Sequence, residues 1–498
     1  MEYVPKKSGM LREAIWLHPS HRILYLAILN KFLRRLDSKL CAEIYSYRSD
    51  QTDDSSEYPF IAKMDRWKNF YNDFRRAALE ESTGAVLLTD LSSYFDHIQI
   101  NQLGNRLFSI LSSSVEKADK EVIQFLLSLL RMWGHDGFGI PHNYDASSFL
   151  GSVYLHNVDC EMISNRFRYF RWVDDIRIVA ESRDHALCAL HDLQRVLAQF
   201  QLFPATDKTC ILIKGTDKFD ELLNVEDDIL ISQAEDVIAR GLKNELEGIT
   251  DGLFARLEYH SKPNGDERKF RAFANRLLDI SDYVEVESEI ASRIHDFVKP
   301  RFSTYPERSD YWSKMLLAHP SENVTRVLTE LLIERPSIFD WQRFHLWRLA
   351  TGLPTELITN ALLTKAKEIS QSAISDSVSA QSIVFLGRHA DNTVRENLFT
   401  RLFTTQRSYI IQRAILIAIQ ELPTKEYYYR RALEANSDHK ELVEFLNQCE
   451  QAEYGIKKRS VRHCQEEARP VNHVIKRGIG LSKGNIETFR LSQLDYDY

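Results

Sequence analysis

Three aspartates and a lysine stand out by type and position. Asp90 closes an apolar run in AVLLTDLSSYFDHI, and Asp174 and Asp175 lie between the β-like runs Phe170 to Val173 and Ile176 to Val179 in RYFRWVDDIRIVAES. Carboxylates delivered by strand ends suit in-line displacement at an α-phosphate, where two divalent ions about 3.5–4 Å apart stabilise the attacking and leaving oxygens. Mg²⁺ is the expected ion, two per site with Mn²⁺ able to substitute, because a hard cation prefers carboxylate, phosphate and water oxygen. Taken singly, an aspartate ending a strand is more often a helix cap or turn residue, and an Asp-Asp at a hairpin tip is more often a solvated turn. Three strand-end carboxylates together concentrate more negative charge than persists without metal. Lys208, in FQLFPATDKTCILI, precedes another apolar run, where an ammonium can neutralise or protonate a departing pyrophosphate.

These residues need elements to hold them. Residues 1 to about 215 alternate helix-like stretches with short apolar runs such as Gly84 to Leu88, Arg168 to Val173 and Cys210 to Ile213, the lengths of buried strands. Between the aspartates, GFGIPHNYDASSFLGSVYLHNVD opens on a Gly-x-Pro turn (Gly139 to Pro141) and enters a helix through Ser147, Leu150 and Tyr154. Pro141, His142, Asn143 and Ser147 are therefore candidate contacts to a nucleotide or template. Upstream, cations interleave with aromatics, and Arg48, Lys63 and Arg66 are candidate phosphate contacts.

From about Glu226 to about Gln451 the strand signals fade and apolar residues recur at helical spacing, as in Ile411-Ala414-Ile415-Ala418-Ile419-Leu422. Segments 382–403 and 408–422 echo one another like successive α-solenoid helices, with an irregular helical extension as the alternative. The expected layout is 1–225, 226–450 and a basic tail, 451–498, carrying Lys457, Lys458, Arg459 and Arg462.

Composition excludes several classes. At 498 residues, 44% hydrophobic and 27% charged, the chain is neither disordered nor fibrous. A net charge of −7 averages over domains and leaves room for a basic groove. Six scattered cysteines with no C-x-x-C pair fit a reducing compartment and argue against both a disulfide framework and a structural zinc site. With no apolar run near 20 residues and no signal-like start, a soluble cytoplasmic protein without a membrane partner is expected.

The four chemical segments resemble reverse-transcriptase motifs in family order: Asp90 with Phe95; Gly139-Ile140-Pro141 through Ser147, Leu150 and Tyr154; Trp172-Val173-Asp174-Asp175; and Lys208-Thr209. The resemblance covers roughly residues 40 to 215. It implies an α+β right-hand polymerase, fingers and palm, followed by an all-α helical-repeat (HEAT-like) domain. It also implies that Phe95 is a sugar gate whose ring leaves no room for a ribose 2′-hydroxyl. Two departures stand out: His142 and Asn143 replace the family's usual Gln-Gly, and Trp172 replaces Tyr or Phe.

A long helical domain after the palm is similar to the abortive-infection and other defence-associated reverse transcriptases of bacteria, the type-nine systems or a neighbouring group nearest among them, more than to retron or group II intron enzymes. That likeness implies a non-coding RNA template, dNTPs and a cDNA product, a homo-oligomer (trimer or hexamer), and synthesis primed by a protein hydroxyl. Tyr496 or Tyr498 would be that hydroxyl, with Tyr45 or Tyr47 as alternatives. The competing reading is an RNA-binding oligomeric scaffold with a vestigial polymerase.

Overall fold

The computed structural model describes residues 2–50, 59–111, 116–240, 243–262, 265–281, 289–372, 375–404, 406–449 and 451–456. The described residues divide into two compact units, one spanning Ala14–Asn224, the other joining the residues up to Glu13 to those from Val225 to 456. The N-terminal residues up to Glu13 thus group with the helical unit. Strands β1 (Glu2–Pro5) and β2 (Leu11–Ala14) form a two-stranded sheet, and β1 packs on the helix Asp340–Gly352. Lys7 fastens the intervening turn to Glu267 at 3.4 Å and to the Gly265 carbonyl at 3.0 Å.

In the first unit, helices α1 (Pro19–Asp37) and α2 (Lys63–Leu79) precede β3 (Ala85–Thr89). Then come α3 (Ile100–Leu111), α4 (Lys117–Trp133), α5 (Asp145–Ser164), β4 (Arg168–Trp172), β5 (Asp175–Ala180), α6 (Arg183–Ala198), β6 (Cys210–Ile213) and α7 (Asp217–Leu223). The sheet runs β4-β5-β3-β6, every pair antiparallel, with Ala85 opposite Ala180 and Thr89 opposite Ile176. Both faces are covered. Strand alternation turns Arg177 toward α2, where its guanidinium lies over Phe70 and Phe74 at 4.8 and 4.9 Å, and turns Ile176 and Ile178 the other way. Helix α5 carries apolar or small residues on every side and is buried along most of its length, as a central helix must be.

The second unit is helical from Glu226–Arg240 to Lys440–Gln448 among the described residues. Its helices pack on the next but one: Ser309–Ala318 on Asp340–Gly352, that on Asp376–His389, and that on Tyr409–Ala418. The core includes Phe273, Trp312, Leu346, Trp347, Phe385 and Ile415. Gly387 permits the tightest of these approaches, since a Cβ there would lie 2.3 Å from the Cα of Ala418. The start of the expected tail, 451–456, is bonded to the helical unit. Glu453 exchanges two backbone bonds with the Gln420 amide at 2.7 and 2.9 Å, and the Tyr454 hydroxyl donates to the Gly387 carbonyl at 3.1 Å. Residues 457–498, with the basic cluster, Tyr496 and Tyr498, lie outside the described residues.

Candidate active site

Asp90 follows the last residue of the central strand β3, and Asp174 occupies the two-residue turn, Val173–Asp174, that joins β4 to β5. Because β3 and β5 are neighbours, the two carboxyls come close enough for the charge of Asp90 to act on Asp174. Burial, reinforced by the Asp90 charge, raises Asp174 from 3.8 to about 8, against a smaller opposing pull from Lys208. Asp90 Oδ1 accepts from the Leu91 amide at 2.9 Å, and Oδ2 takes a direct ion pair from the Lys208 ammonium. Lys208 reaches it because the loop before β6 runs beside Asp90: Ala205 N donates to the Asp90 carbonyl at 2.7 Å and Ser92 N to the Phe203 carbonyl at 2.9 Å.

Asp175 behaves differently. Its carboxylate accepts from Arg177 at 3.3 and 3.2 Å, so it is drawn along β5 toward α2. Among the described residues, Asp90 and Asp174 are the joined pair, and Asp175 would have to leave Arg177 to serve the same ion. The donor set fits a divalent cation. Two neighbouring carboxyls, one of them pushed toward its protonated form, beside an ammonium mark a place where positive charge is needed, and their oxygens are the ligands Mg²⁺ prefers.

The turn itself is strained. Val173 has φ +55°, a left-handed conformation that costs a β-branched residue on the order of 1–2 kcal/mol. Its two backbone groups are held from below: Val173 N donates to Ser46 Oγ at 3.0 Å, and Arg171 Nη1 donates to the Val173 carbonyl at 2.7 Å. Arg171 is wholly buried and forms a two-pronged bond to the equally buried Asp159 of α5, both contacts 2.7 Å, while Tyr169 donates to the same carboxylate at 2.9 Å. Segment 43–46 joins the edge of β4 through Arg171 N to the Glu43 carbonyl and Tyr45 N to the Arg171 carbonyl, each 3.0 Å. Ser46, Asp159 and Arg171 are absent from the sequence-based set. The one available signal was an arginine inside an otherwise apolar strand, which demands a buried partner.

Phe95 begins a single 3₁₀ turn, Phe95–His97, and its ring lies 5.1 Å from that of His142. The Gly139 loop is laid against this turn by Gly139 N to the Ile98 carbonyl (2.9 Å) and Ile140 N to the Phe95 carbonyl (3.1 Å). A φ of +83° makes glycine the natural occupant at 139. His142 Nε2 bonds Asp96 Oδ1 at 2.6 Å, and Asn143, with φ +61°, is exposed. Pro141 is buried.

Several anticipated contacts are occupied otherwise. All five Arg48 N–H groups go to Asp37 and to the carbonyls of Asp37, Cys41 and Ile44, so Arg48 pins the end of α1 rather than presenting itself to a phosphate. Ser147 is buried and shares a 2.9 Å bond with the Tyr25 hydroxyl. Arg66 spends two donors on the Tyr45 and Ile44 carbonyls. Tyr45 donates to Asp73 at 2.9 Å. Lys63 keeps an exposed ammonium over the Tyr47 ring at 5.6 Å.

A second polar cluster lies on α5. Cys41, His156 and Cys160 bring their sulfurs and ring nitrogens within 4.8 Å of one another.

No protein-family model matches the chain, and no curated protein does. Solved structures similar to it include apo telomerase from Candida Tropicalis truncated from its C-terminal domain, at 14% identity and a TM-score of 0.28 over 40% of each chain. Apo telomerase from Candida Tropicalis is similar at 11% identity and 0.30, over 87% of this chain and 60% of that one. Telomerase from Candida albicans in complex with a TWJ fragment of telomeric RNA is similar at 12% and 0.27, over 86% and 57%. This chain spans about 40 to 60% of the length of these structures.

Proposed function

We propose that the chain is an RNA-directed DNA polymerase of the defence-associated bacterial kind, copying a non-coding RNA into cDNA. The observation that carries this reading is the meeting of Asp90 and Asp174 at adjacent strand ends with the Lys208 ammonium on Asp90. Asp90 and Asp174, joined by Asp175 once released from Arg177, would hold Mg²⁺, which when bound activates the attacking hydroxyl and stabilises charge at the α-phosphate. The chain's own residues do the rest. Lys208, exposed at its tip, delivers a proton or a charge to the departing pyrophosphate; Phe95, backed by His142, limits the space beside C2′ of the sugar; Lys63 draws in the triphosphate.

The antiphage role, the homo-oligomer and the helical-repeat character of the second unit rest on the family resemblance, as does priming by Tyr496 or Tyr498. Incorporation of labelled dNTP by the purified protein with its co-purifying RNA tests the central claim. Asp90→Ala and the Asp174→Ala/Asp175→Ala double variant should lose at least about 10³-fold while keeping wild-type circular dichroism. Near-wild-type incorporation in the folded double variant would refute the assignment. The Asp175–Arg177 pairing is the one feature that favours a vestigial site in an RNA-binding scaffold, and in that case wild type and variant would be equally inert. Label retained on protein in a Tyr496→Phe/Tyr498→Phe variant would exclude the terminal tyrosines as primer.

A further inference from the structure

The geometry points to a second metal centre, unrelated to the carboxylate pair: Cys41, His156 and Cys160 form a Cys₂His site for Zn²⁺ that clamps the segment after α1 onto α5. His156 and Cys160 are four residues apart on α5 and so share one face of it, while Cys41 arrives from the segment following α1. The two sulfurs are 3.6 Å apart, and His156 Nδ1 lies 3.9 Å from Cys41 Sγ and 3.8 Å from Cys160 Sγ; Nε2 is 3.6 Å from the latter, so the imidazole turns to aim one nitrogen at the ion on binding. Tetrahedral zinc, with Zn–S near 2.3 Å and Zn–N near 2.0–2.1 Å, calls for ligand-to-ligand edges of about 3.8 Å between sulfurs and about 3.6 Å from sulfur to nitrogen. All three edges come within a few tenths of an ångström of these values.

Soft thiolates with an imidazole select zinc over magnesium, which keeps this centre chemically distinct from the Asp90–Asp174 pair. The three protein ligands leave a fourth position for water, because Cys160 is exposed and Cys41 only half-buried. Binding displaces one proton from each thiol, so two protons are released per zinc.

The position of the ligands gives the metal a task. Cys160 adjoins Asp159, which holds Arg171 under the Val173–Asp174 turn, and Cys41 is five residues before Ser46, which holds the same turn from the other side. The Cys41 carbonyl also accepts from Arg48 at 2.9 Å. A bond between residue 41 and residues 156 and 160 therefore fixes the spacing between the two props of the catalytic turn. A disulfide is the rival use of the same sulfurs, since a contraction from 3.6 Å to about 2.05 Å would join them.

The test uses the full chain, purified with reductant, incubated with zinc alone and desalted. Elemental analysis should find about one zinc per chain in wild type and in the control Cys188→Ser, and less than about a tenth of that in Cys41→Ser and Cys160→Ser. Cys160 is exposed, so Cys160→Ser keeps the fold and serves where Cys41→Ser fails to. In His156→Gln the zinc affinity should fall by at least about tenfold. Chelation should lower the thermal midpoint of wild type but not that of Cys160→Ser. Wild-type zinc no higher than in Cys160→Ser overturns the proposal. So does a loss of two titratable thiols on removing reductant, absent from Cys160→Ser, in protein that binds no zinc.

Discussion

At the scale of single residues, the protonation of Asp174 makes metal-free stability depend on pH. Its value of about 8 against 3.8 for a free aspartate means that between those pH values the unfolded chain has released a proton the folded, metal-free protein keeps. The unfolded state then binds fewer protons, so metal-free stability falls as pH rises through that window and levels off above it. Asp174→Asn should remove the penalty. We expect a gain of about 1–2 kcal/mol at the upper end of the window, allowing for partial solvent exposure, and almost none at the lower end, with catalysis abolished. Denaturant melts with chelator at both ends check this, and a variant less stable than wild type throughout would contradict it. Phe95 sets a separate expectation. Its ring is half-buried against His142 and Tyr94, so Phe95→Val opens space without emptying the core and should raise NTP use relative to dNTP by at least about tenfold. An unchanged ratio would make Phe95 a packing residue only.

The element that decides whether the site works is the β4–β5 turn. Its strained valine persists because a buried ion pair and a buried serine hold both of its backbone groups. Arg171→Met leaves the Asp159 carboxylate buried without its cation and should cost about 3–5 kcal/mol. Adding Asp159→Leu should recover most of that loss, because an apolar pair replaces an ion pair at little net cost. Polymerisation should stay low in the double variant, since nothing then holds the Val173 carbonyl. Thermal melts beside dNTP incorporation separate the two effects, and full activity in the stable double variant would show that Arg171 is structural alone.

Across the whole molecule, the two units hold their cores by different means. The first encloses a four-stranded sheet between helices, whereas the second is built by helices packing on the next but one. Where two of those helices cross closely, one bulky atom is felt directly. Gly387→Ala would drive a methyl group into the backbone of Ala418, and we expect a loss of about 1–3 kcal/mol in that unit's unfolding. A melt showing that unit unfolding at lower temperature, with the active-site unit unchanged, is the expected record. An unaltered melt would mean that the two helices separate freely.

The order of strand-end carboxylates, the lysine before the last strand and the change from mixed to helical periodicity at about residue 226 were all legible in the linear sequence, because each is a local pattern of residue type and spacing. What residues do with their hydrogen-bonding capacity was not, because a donor's partner is chosen by the fold. Arg48 and Ser147 look like ligand contacts in the sequence and are bonded to Asp37 and Tyr25, while Arg171, an unremarked strand residue, holds the β4–β5 turn. The N-terminal strands likewise join the unit that follows the sheet, a pairing no local pattern encodes. Cys41 stands 115 positions before His156, and only the packing of the chain after α1 on α5 brings that sulfur within reach of the other two ligands.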